Sequence, residues 1–115
     1  MTVIALQPRD VVLMAFPFSD LTDRKLRPAL VMAAAGRGDW VLCQITSKPY
    51  GDPDALPITD ADFDTGGLRI SSVVRPTKLF TAHESLVQGT AGRLGRPAHS
   101  RVCEALITVL RSACG

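Results

Sequence analysis

Two apolar segments of similar length flank a short glycine-containing turn, and this arrangement constrains the fold more than any other feature of the sequence. Residues 29–35 (ALVMAAA) and residues 40–46 (WVLCQIT) lie on either side of the turn at residues 36–39 (GRGD). Short apolar runs with β-branched and aromatic side chains favour strands, and a four-residue turn that contains glycine joins antiparallel strands. Residues 29–46 are therefore predicted to form a β-hairpin.

Several other short runs have the composition of strands. The apolar stretch at residues 11–16 ends before Pro17 and is predicted to be a strand buried on both faces. Further strands are predicted at residues 56–58, 68–74 and 78–81, and single helical turns at residues 59–64 and 83–87. Residues 88–94 are predicted to form a small strand or an irregular segment. The polar segment at residues 18–26 is long for a connection between strands, and long loops in small domains are often functional.

The C-terminal segment has helical periodicity. Pro97 suits the first turn of a helix, and apolar side chains recur on one side as Val102, Leu106, Val109, Leu110 and Ala113. This helix is expected to pack against the sheet. Many short strands followed by one helix predict a mainly β (α+β) fold, a small antiparallel barrel or half-barrel. The 115 residues are expected to form a single domain, residues 1–115.

Charge is distributed unevenly along the chain. The formal net charge is only +2, which by itself does not indicate a nucleic-acid ligand. Residues 52–64 contain five acidic and no basic side chains, whereas residues 69–115 contain seven Arg or Lys and two Glu. The sequence therefore predicts an acidic face and a basic face, the second suited to an anionic ligand.

Sequence features of several protein classes are absent. No apolar stretch is long enough to cross a membrane, and the N-terminus lacks the pattern of a signal peptide, so a cytoplasmic protein is expected. The three cysteines have no spacing typical of zinc ligands, and Cys43 and Cys103 are predicted to be buried thiols. His83 and His99 are expected on the surface. No metal or cofactor is predicted, and no common hydrolase motif occurs.

The hairpin suggests where chemistry could occur. Counting outwards from the turn places Arg27 beside Thr46 at the far end of the two strands, and Arg75, Thr77 and Lys78 follow another apolar strand. A guanidinium matches phosphate oxygens and stabilises negative charge that develops on a phosphodiester. Taken singly, such an arginine is more commonly a solvated edge residue, and such a threonine more commonly bonds within a turn.

Five segments, taken in order, resemble the MazF/PemK toxins of bacterial toxin–antitoxin pairs. They are residues 10–22 (DVVLMAFPFSDLT), 27–31 (RPALV), 41–47 (VLCQITS), 72–80 (SVVRPTKLF) and 92–94 (GRL). The resemblance implies an SH3-like barrel with a C-terminal helix, and a homodimer. It also implies a sequence-selective endoribonuclease that cleaves single-stranded RNA without a metal, through a 2′,3′-cyclic phosphate. A cognate antitoxin would be the protein partner.

The resemblance also implies roles for individual residues. Arg27 and Thr46 match the catalytic arginine and threonine of the family, and Arg75 matches a second arginine that some members use. Because an arginine is a poor base, Arg27 is expected to bind phosphate and stabilise the transition state. Further predicted RNA contacts are Phe18, Ser19, Asp20, Lys25, Gln44, Ser47, Thr77 and Lys78.

At one position the sequence departs from the pattern. Thr77 stands where some relatives have an aspartate that serves as a base, and a threonine cannot replace it in that role. More of the chemistry is therefore expected from Arg27 and Thr46. Two other functions remain open: a non-catalytic barrel toxin that binds a protein such as gyrase, and a degenerate dimeric interaction module.

Overall fold

A computed structural model describes residues 5–15, 26–49 and 51–115. Within these residues the chain forms seven strands and one α-helix. The strands are β1 (Asp10–Ala15), β2 (Leu26–Gly36), β3 (Asp39–Thr46), β4 (Leu56–Ile58), β5 (Phe63–Gly66), β6 (Ser72–His83) and β7 (Val87–Leu94), and the helix is α1 (Arg96–Ala113). Single 3-10 turns at Asp60–Asp62 and Glu84–Leu86 precede β5 and β7.

The strands form one curled antiparallel sheet, a half-barrel, with α1 at the C-terminus. The strand order is β4-β6-β3-β2-β1-β7-β5, and every adjacent pair is antiparallel. The predicted fold class, a small antiparallel barrel or half-barrel with a terminal helix, is confirmed.

Both faces of the central strands are buried. In β1, Val11 belongs to one apolar cluster and its neighbour Val12 to another, because successive side chains of a strand point to opposite faces. Val11, Val12 and Met14 are all 0% exposed, as predicted for this strand. The N-terminal half of α1 covers the cluster that contains Val11, through Ala98 and Val102.

The predicted hairpin is confirmed. β2 and β3 pair from Gly36 opposite Asp39 to Ala29 opposite Gln44. The turn needs glycine, because Gly36 and Gly38 have φ values of 92° and 81°, in the left-handed region that other residues rarely adopt. The strand begins at Leu26 rather than at residue 29, which extends β2 towards the polar loop.

The sixth strand differs from the prediction. The sequence predicts separate strands at residues 68–74 and 78–81, on either side of residues 75–77 (RPT). Instead, Ser72–His83 is one strand with a bulge, since Leu79 pairs with Cys43 while Arg75 pairs with the next residue, Gln44. A bulge is a place where a sheet tolerates proline. Residues 68–71 lie outside the strand.

Other boundaries also differ. The helical turn predicted at residues 59–64 covers only Asp60–Asp62, and β5 follows it at once. The helix is confirmed, but its predicted apolar side is buried only near the N-terminus, and Leu110 is 56% exposed. The described residues include no helix that is long and apolar enough to cross a membrane.

The acidic segment does not form a separate face. Three of its five carboxylates pair with arginines from other parts of the chain, which ties the segment to the sheet and the helix. The pairs are Asp52–Arg75 (2.8 Å), Asp62–Arg101 (2.9 Å) and Asp64–Arg9 (3.2 Å). The prediction of segregated acidic and basic faces is therefore wrong for these residues, because oppositely charged segments that are distant in sequence meet in the fold.

Candidate functional site

A cavity of about 650 Å³ lies at the ends of β2 and β3 that are remote from the hairpin turn. Its wall combines hydrogen-bonding and apolar side chains from five strands (β1, β2, β3, β6 and β7) and from the segment between β5 and β6. The polar residues of the wall are Arg27, Gln44, Thr46, Ser47, Arg69 and Ser72, and the others are Leu13, Leu26, Pro28, Ile45, Gly67, Leu68, Ile70 and Ala91.

The register of the hairpin brings Arg27 and Thr46 to this cavity. The ladder between β2 and β3 ends at Ala29 opposite Gln44, and two further residues along each strand lead to Arg27 and Thr46. Arg27 is half-buried and is also paired with Met14 of β1. The buried neighbours of these residues on the three strands hold both backbones in place, so the two side chains enter one wall from adjacent strands.

The hydroxyl of Thr46 takes part in a local turn. Its Oγ1 accepts a hydrogen bond from the backbone N–H of Lys48 at 3.1 Å and lies 3.4 Å from the carbonyl oxygen of Lys48. A hydroxyl has one proton and two lone pairs. Thr46 can thus give up the long bond to the carbonyl and donate its proton to an occupant of the cavity, while the bond from Lys48 keeps its oxygen fixed.

Arg75 is held by two side chains next to the cavity. Its Nε donates to Oδ2 of Asp52 at 2.8 Å, and its Nη1 donates to Oε1 of Gln44 at 3.1 Å. The bond from Arg75, helped by the backbone N–H of Asp54, lowers the pKa of Asp52. Gln44 lines the cavity, whereas Arg75 does not. Arg75 therefore does not line the cavity itself, but it is hydrogen-bonded to Gln44, which does.

The remaining predicted contacts are placed in three ways. Ser47 joins Gln44 in the cavity wall. Thr77 and Lys78 are exposed on the bulge of β6 and are not part of the wall. Four predicted contacts lie outside the described residues: Phe18, Ser19, Asp20 and Lys25.

Arg69 is a cavity residue that sequence reasoning missed. It was assigned to a strand at residues 68–74, but it lies between β5 and β6, in the segment that closes one side of the cavity. Its side chain is exposed and makes no hydrogen bond or ion pair with the residues that the structure describes. The glycines at positions 66 and 67 were the signal that the chain turns before Arg69. The cavity is consequently lined by two arginines, Arg27 from β2 and Arg69 from the segment between β5 and β6.

The wall favours an anionic ligand. The described residues that line the cavity include two arginines, an amide and three hydroxyls, but no carboxylate, imidazole or thiol. Two guanidinium groups offer charge-assisted donors that match phosphate oxygens. Elsewhere among the described residues, no group of three or more His, Cys, Asp or Glu side chains is arranged to hold a metal ion.

No cysteine or histidine of the described residues lines the cavity. Cys43 is a buried thiol, as predicted, and burial raises its pKa to about 12; Cys103 is only half-buried. His83 is exposed as expected, but the expectation for His99 is wrong. His99 is half-buried in the first turn of α1, and its Nε2 is buried without a hydrogen-bond partner among the described residues.

Comparison with known proteins gives a family and a set of structural neighbours. The sequence profile of the PemK-like, MazF-like toxins of type II toxin–antitoxin systems matches residues 7–110. No curated protein matches the sequence significantly.

Three solved structures illustrate the structural likeness. A mycobacterial endoribonuclease in complex with its cognate antitoxin is 15% identical, with 92% of this chain and 95% of that chain covered and a TM-score of 0.71. The MazE–MazF structure from Deinococcus radiodurans is 18% identical, with 94% of this chain and 97% of that chain covered and a TM-score of 0.72. The Mycobacterium tuberculosis toxin MazF-mt6 is 20% identical, with 90% of this chain and 97% of that chain covered and a TM-score of 0.69. At these identities the likeness shows a shared fold.

Proposed function

Because the chain belongs to the PemK-like, MazF-like toxins of type II toxin–antitoxin systems, we propose that it is an endoribonuclease. It would cleave single-stranded RNA, including mRNA, at selected sequences and without a metal ion. In this reaction the 2′-oxygen of one nucleotide attacks the adjacent phosphorus, the bond from phosphorus to the 5′-oxygen breaks, and the products carry a 2′,3′-cyclic phosphate and a free 5′-hydroxyl.

One observation supports this function most strongly: Arg27 and Thr46 line one cavity from adjacent strands. Such a reaction places extra negative charge on the non-bridging phosphate oxygens in the transition state. Donors that are fixed before the reaction stabilise that charge most effectively. Arg27 would bind these oxygens and donate a hydrogen bond towards the departing 5′-oxygen, and Thr46 would orient the 2′-hydroxyl or a phosphate oxygen.

Arg69 extends this proposal to the neighbouring backbone. Because it lines the same cavity from a different segment of the chain, the one between β5 and β6, it would bind a phosphate next to the one held by Arg27. Thr77 is exposed on the bulge, and its side chain is not part of the cavity wall. Its occurrence at a position where some relatives have aspartate therefore removes no group from the wall described above.

We further propose that a cognate antitoxin binds this protein and that the active form is a homodimer. One structural neighbour is an endoribonuclease in complex with its cognate antitoxin, and another is a MazE–MazF complex. The exposed apolar side chains Ile107 and Leu110 on the C-terminal half of α1 are consistent with a surface that a second chain covers. Light scattering after size-exclusion chromatography would measure the mass of the free protein directly.

A cleavage assay tests the function. The purified protein is incubated with a long single-stranded RNA in the presence of EDTA, and the fragment ends are identified by mass spectrometry. Discrete fragments with cyclic-phosphate ends, absent with the Arg27→Ala variant, are expected. Intact RNA under all conditions would overturn the proposal. If the protein then still arrested growth on expression, a protein target would be the better explanation.

A further inference from the structure

Gln44 lies between the cavity and a partly buried ion pair. Its side chain is part of the cavity wall, and on its other side Oε1 accepts a hydrogen bond from Nη1 of Arg75 at 3.1 Å. Arg75 is in turn bound through Nε to Asp52, whose side chain is only 5% exposed. Gln44 and Arg75 are also direct cross-strand partners on β3 and β6, so the backbone holds them side by side.

The contact with Arg75 determines which way the amide points. The oxygen and nitrogen of a glutamine side chain are nearly alike in shape, so their assignment has to come from hydrogen bonding. A guanidinium has only donors, and therefore only the Oε1 atom of Gln44 can face Arg75. The Nε2 group, with two N–H donors, is left for the cavity, and it has no partner among the described residues.

The position of this donor suits a base better than a phosphate. Arg27 and Arg69 already supply charged donors to the cavity, and these are stronger partners for phosphate than a neutral amide. A carboxamide in a fixed orientation, in a cavity that is also lined by the apolar side chains of Leu68 and Ile70, can instead hydrogen-bond to the edge of an unstacked base.

On the basis of the proposed ribonuclease function, we infer that Gln44 is a specificity-determining residue, which donates a hydrogen bond from Nε2 to an acceptor atom on one base of the RNA. Asp52 and Arg75 are positioning residues that fix the orientation of the amide. Arg75 thus acts on the substrate through Gln44, in contrast to the direct contact that the sequence predicts for it.

Exchange of the donor for an acceptor tests the role of Gln44. In Gln44→Glu the side chain keeps its shape and its bond to Arg75, but it presents a carboxylate oxygen to the cavity instead of N–H groups. Sequencing of the cleaved ends in a random RNA pool would measure the base preference at each position around the cut. At one position we expect the preference to move from a base that offers a carbonyl oxygen to a base that offers an exocyclic amino group, by about tenfold in relative kcat/KM.

A matched substitution provides the control. Gln88→Glu makes the same chemical change on an exposed part of β7, away from the cavity, and should leave the preference at every position unchanged. If Gln44→Glu also left all preferences unchanged, or slowed cleavage equally for all sequences as a lost phosphate contact would, the inference would be wrong.

The positioning residues have their own readout. Arg75→Ala frees the amide to rotate, so we expect a broader preference at the same single position and a higher KM, with a smaller change in kcat. Asp52→Asn keeps an acceptor for Arg75 and should retain part of the preference. A uniform loss of activity with unaltered selectivity would show that this pair is merely structural.

Binding experiments separate this inference from the proposed function. Short RNAs with a 2′-O-methyl group at every position cannot be cleaved, and their affinities can be measured by fluorescence anisotropy for each base at each position. A base preference that Gln44→Glu changes would support the role of Gln44 even if the wild-type protein cleaved no RNA. Absence of RNA binding by the wild-type protein would overturn both proposals.

Discussion

Gly66 on β5 and Gly92 on β7 are paired so closely that neither position has room for a side chain. A Cβ atom on Gly92 would clash with the carbonyl oxygen of Thr65 and would lie only 3.0 Å from the Cα atom of Gly66. The segment that carries Arg69 begins directly after Gly66, and Gly67 is bonded through its N–H to the carbonyl of Ala91 at 3.2 Å. The close approach of the two strands therefore holds one side of the cavity in place.

Substitution of Gly92 should be costly for this reason. In Gly92→Ala the new methyl group meets backbone atoms that cannot rotate away, and we expect a loss of about 2 kcal/mol in the free energy of unfolding. Gly89→Ala on the same strand is the control, because a Cβ atom there meets nothing within 4 Å and φ is not in the left-handed region. Urea denaturation of the two variants measures the difference, and equal stabilities would contradict the close approach.

Arg27 is the residue whose loss should affect cleavage most. Removal of its guanidinium in Arg27→Ala takes away a fixed donor to the transition state, which typically reduces kcat about 100- to 1,000-fold. Arg111→Ala, in the last turn of α1 and far from the cavity wall, removes the same charge from an exposed site and should have little effect. Single-turnover cleavage of a defined RNA gives both rates. Similar rates for the two variants would exclude Arg27 from the chemistry.

Arg69 should contribute to binding through charge. If it contacts a phosphate, Arg69→Ala should weaken RNA binding for all sequences alike and reduce the slope of log K against log salt concentration by about 0.7 for single-stranded RNA. Titrations with a non-cleavable RNA at several salt concentrations provide the slope. A slope equal to that of the wild-type protein would show that Arg69 makes no phosphate contact.

Thr77→Asp tests whether a carboxylate at this position matters. Because the Thr77 side chain is exposed on the bulge and is not part of the cavity wall, an aspartate there should leave the cleavage rate within about twofold of the wild-type rate. The pH dependence of kcat should also stay the same. An increase of an order of magnitude, with a new ionisation in the pH profile, would instead identify position 77 as the place of a general base.

His99 should make the folded protein sensitive to mild acid. Burial lowers the pKa of His99 below its ordinary value of 6.5. The nearby Val31 backbone raises this pKa by less than burial lowers it, and the positive charge of Arg9 lowers it by a still smaller amount. The unfolded chain therefore binds a proton at a higher pH than the folded chain does. Stability should be constant above about pH 7.5 and should fall as the pH decreases through about 6.5 towards 5.

A pair of histidine variants isolates this effect. Thermal unfolding followed between pH 8 and pH 5 should show a smaller decline of Tm for His99→Gln than for the wild-type protein, whatever the absolute stability of the variant. His83→Gln replaces the exposed histidine and should keep the wild-type decline. If His99→Gln had the same pH dependence as the wild-type protein, His99 would not be the group responsible.

The part of the site formed by the hairpin could be predicted from the sequence. The turn at Gly36 and Gly38 is local, and antiparallel pairing fixes which residues meet when one counts outwards from it, so the approach of Arg27 to Thr46 follows from a few neighbouring residues. β1 and β3 could also be predicted locally, because a strand that is buried on both faces has a continuous run of apolar residues.

The other part of the site depends on contacts that are distant in sequence. Pro76 indicates an interrupted strand, and only the pairing with β3 shows that a bulge accommodates it. Arg69 and Asp52 take their positions from strands that lie elsewhere in the chain, so no local pattern marks them as neighbours of the cavity. His99 is polar in a polar stretch of sequence, and its burial results from the way α1 lies on the sheet.

The bulge in β6 selects which cation stands next to Gln44. On one side of the bulge Cys43 pairs with Leu79, and on the other side Gln44 pairs with Arg75. One step along β3 thus corresponds to four steps along β6. With uninterrupted pairing, Lys78 would occupy the place opposite Gln44. A change in the number of bulged residues would therefore place a different side chain opposite Gln44 without any substitution in β3. If Gln44 contacts a base as proposed, relatives with a bulge of different length should prefer different RNA sequences.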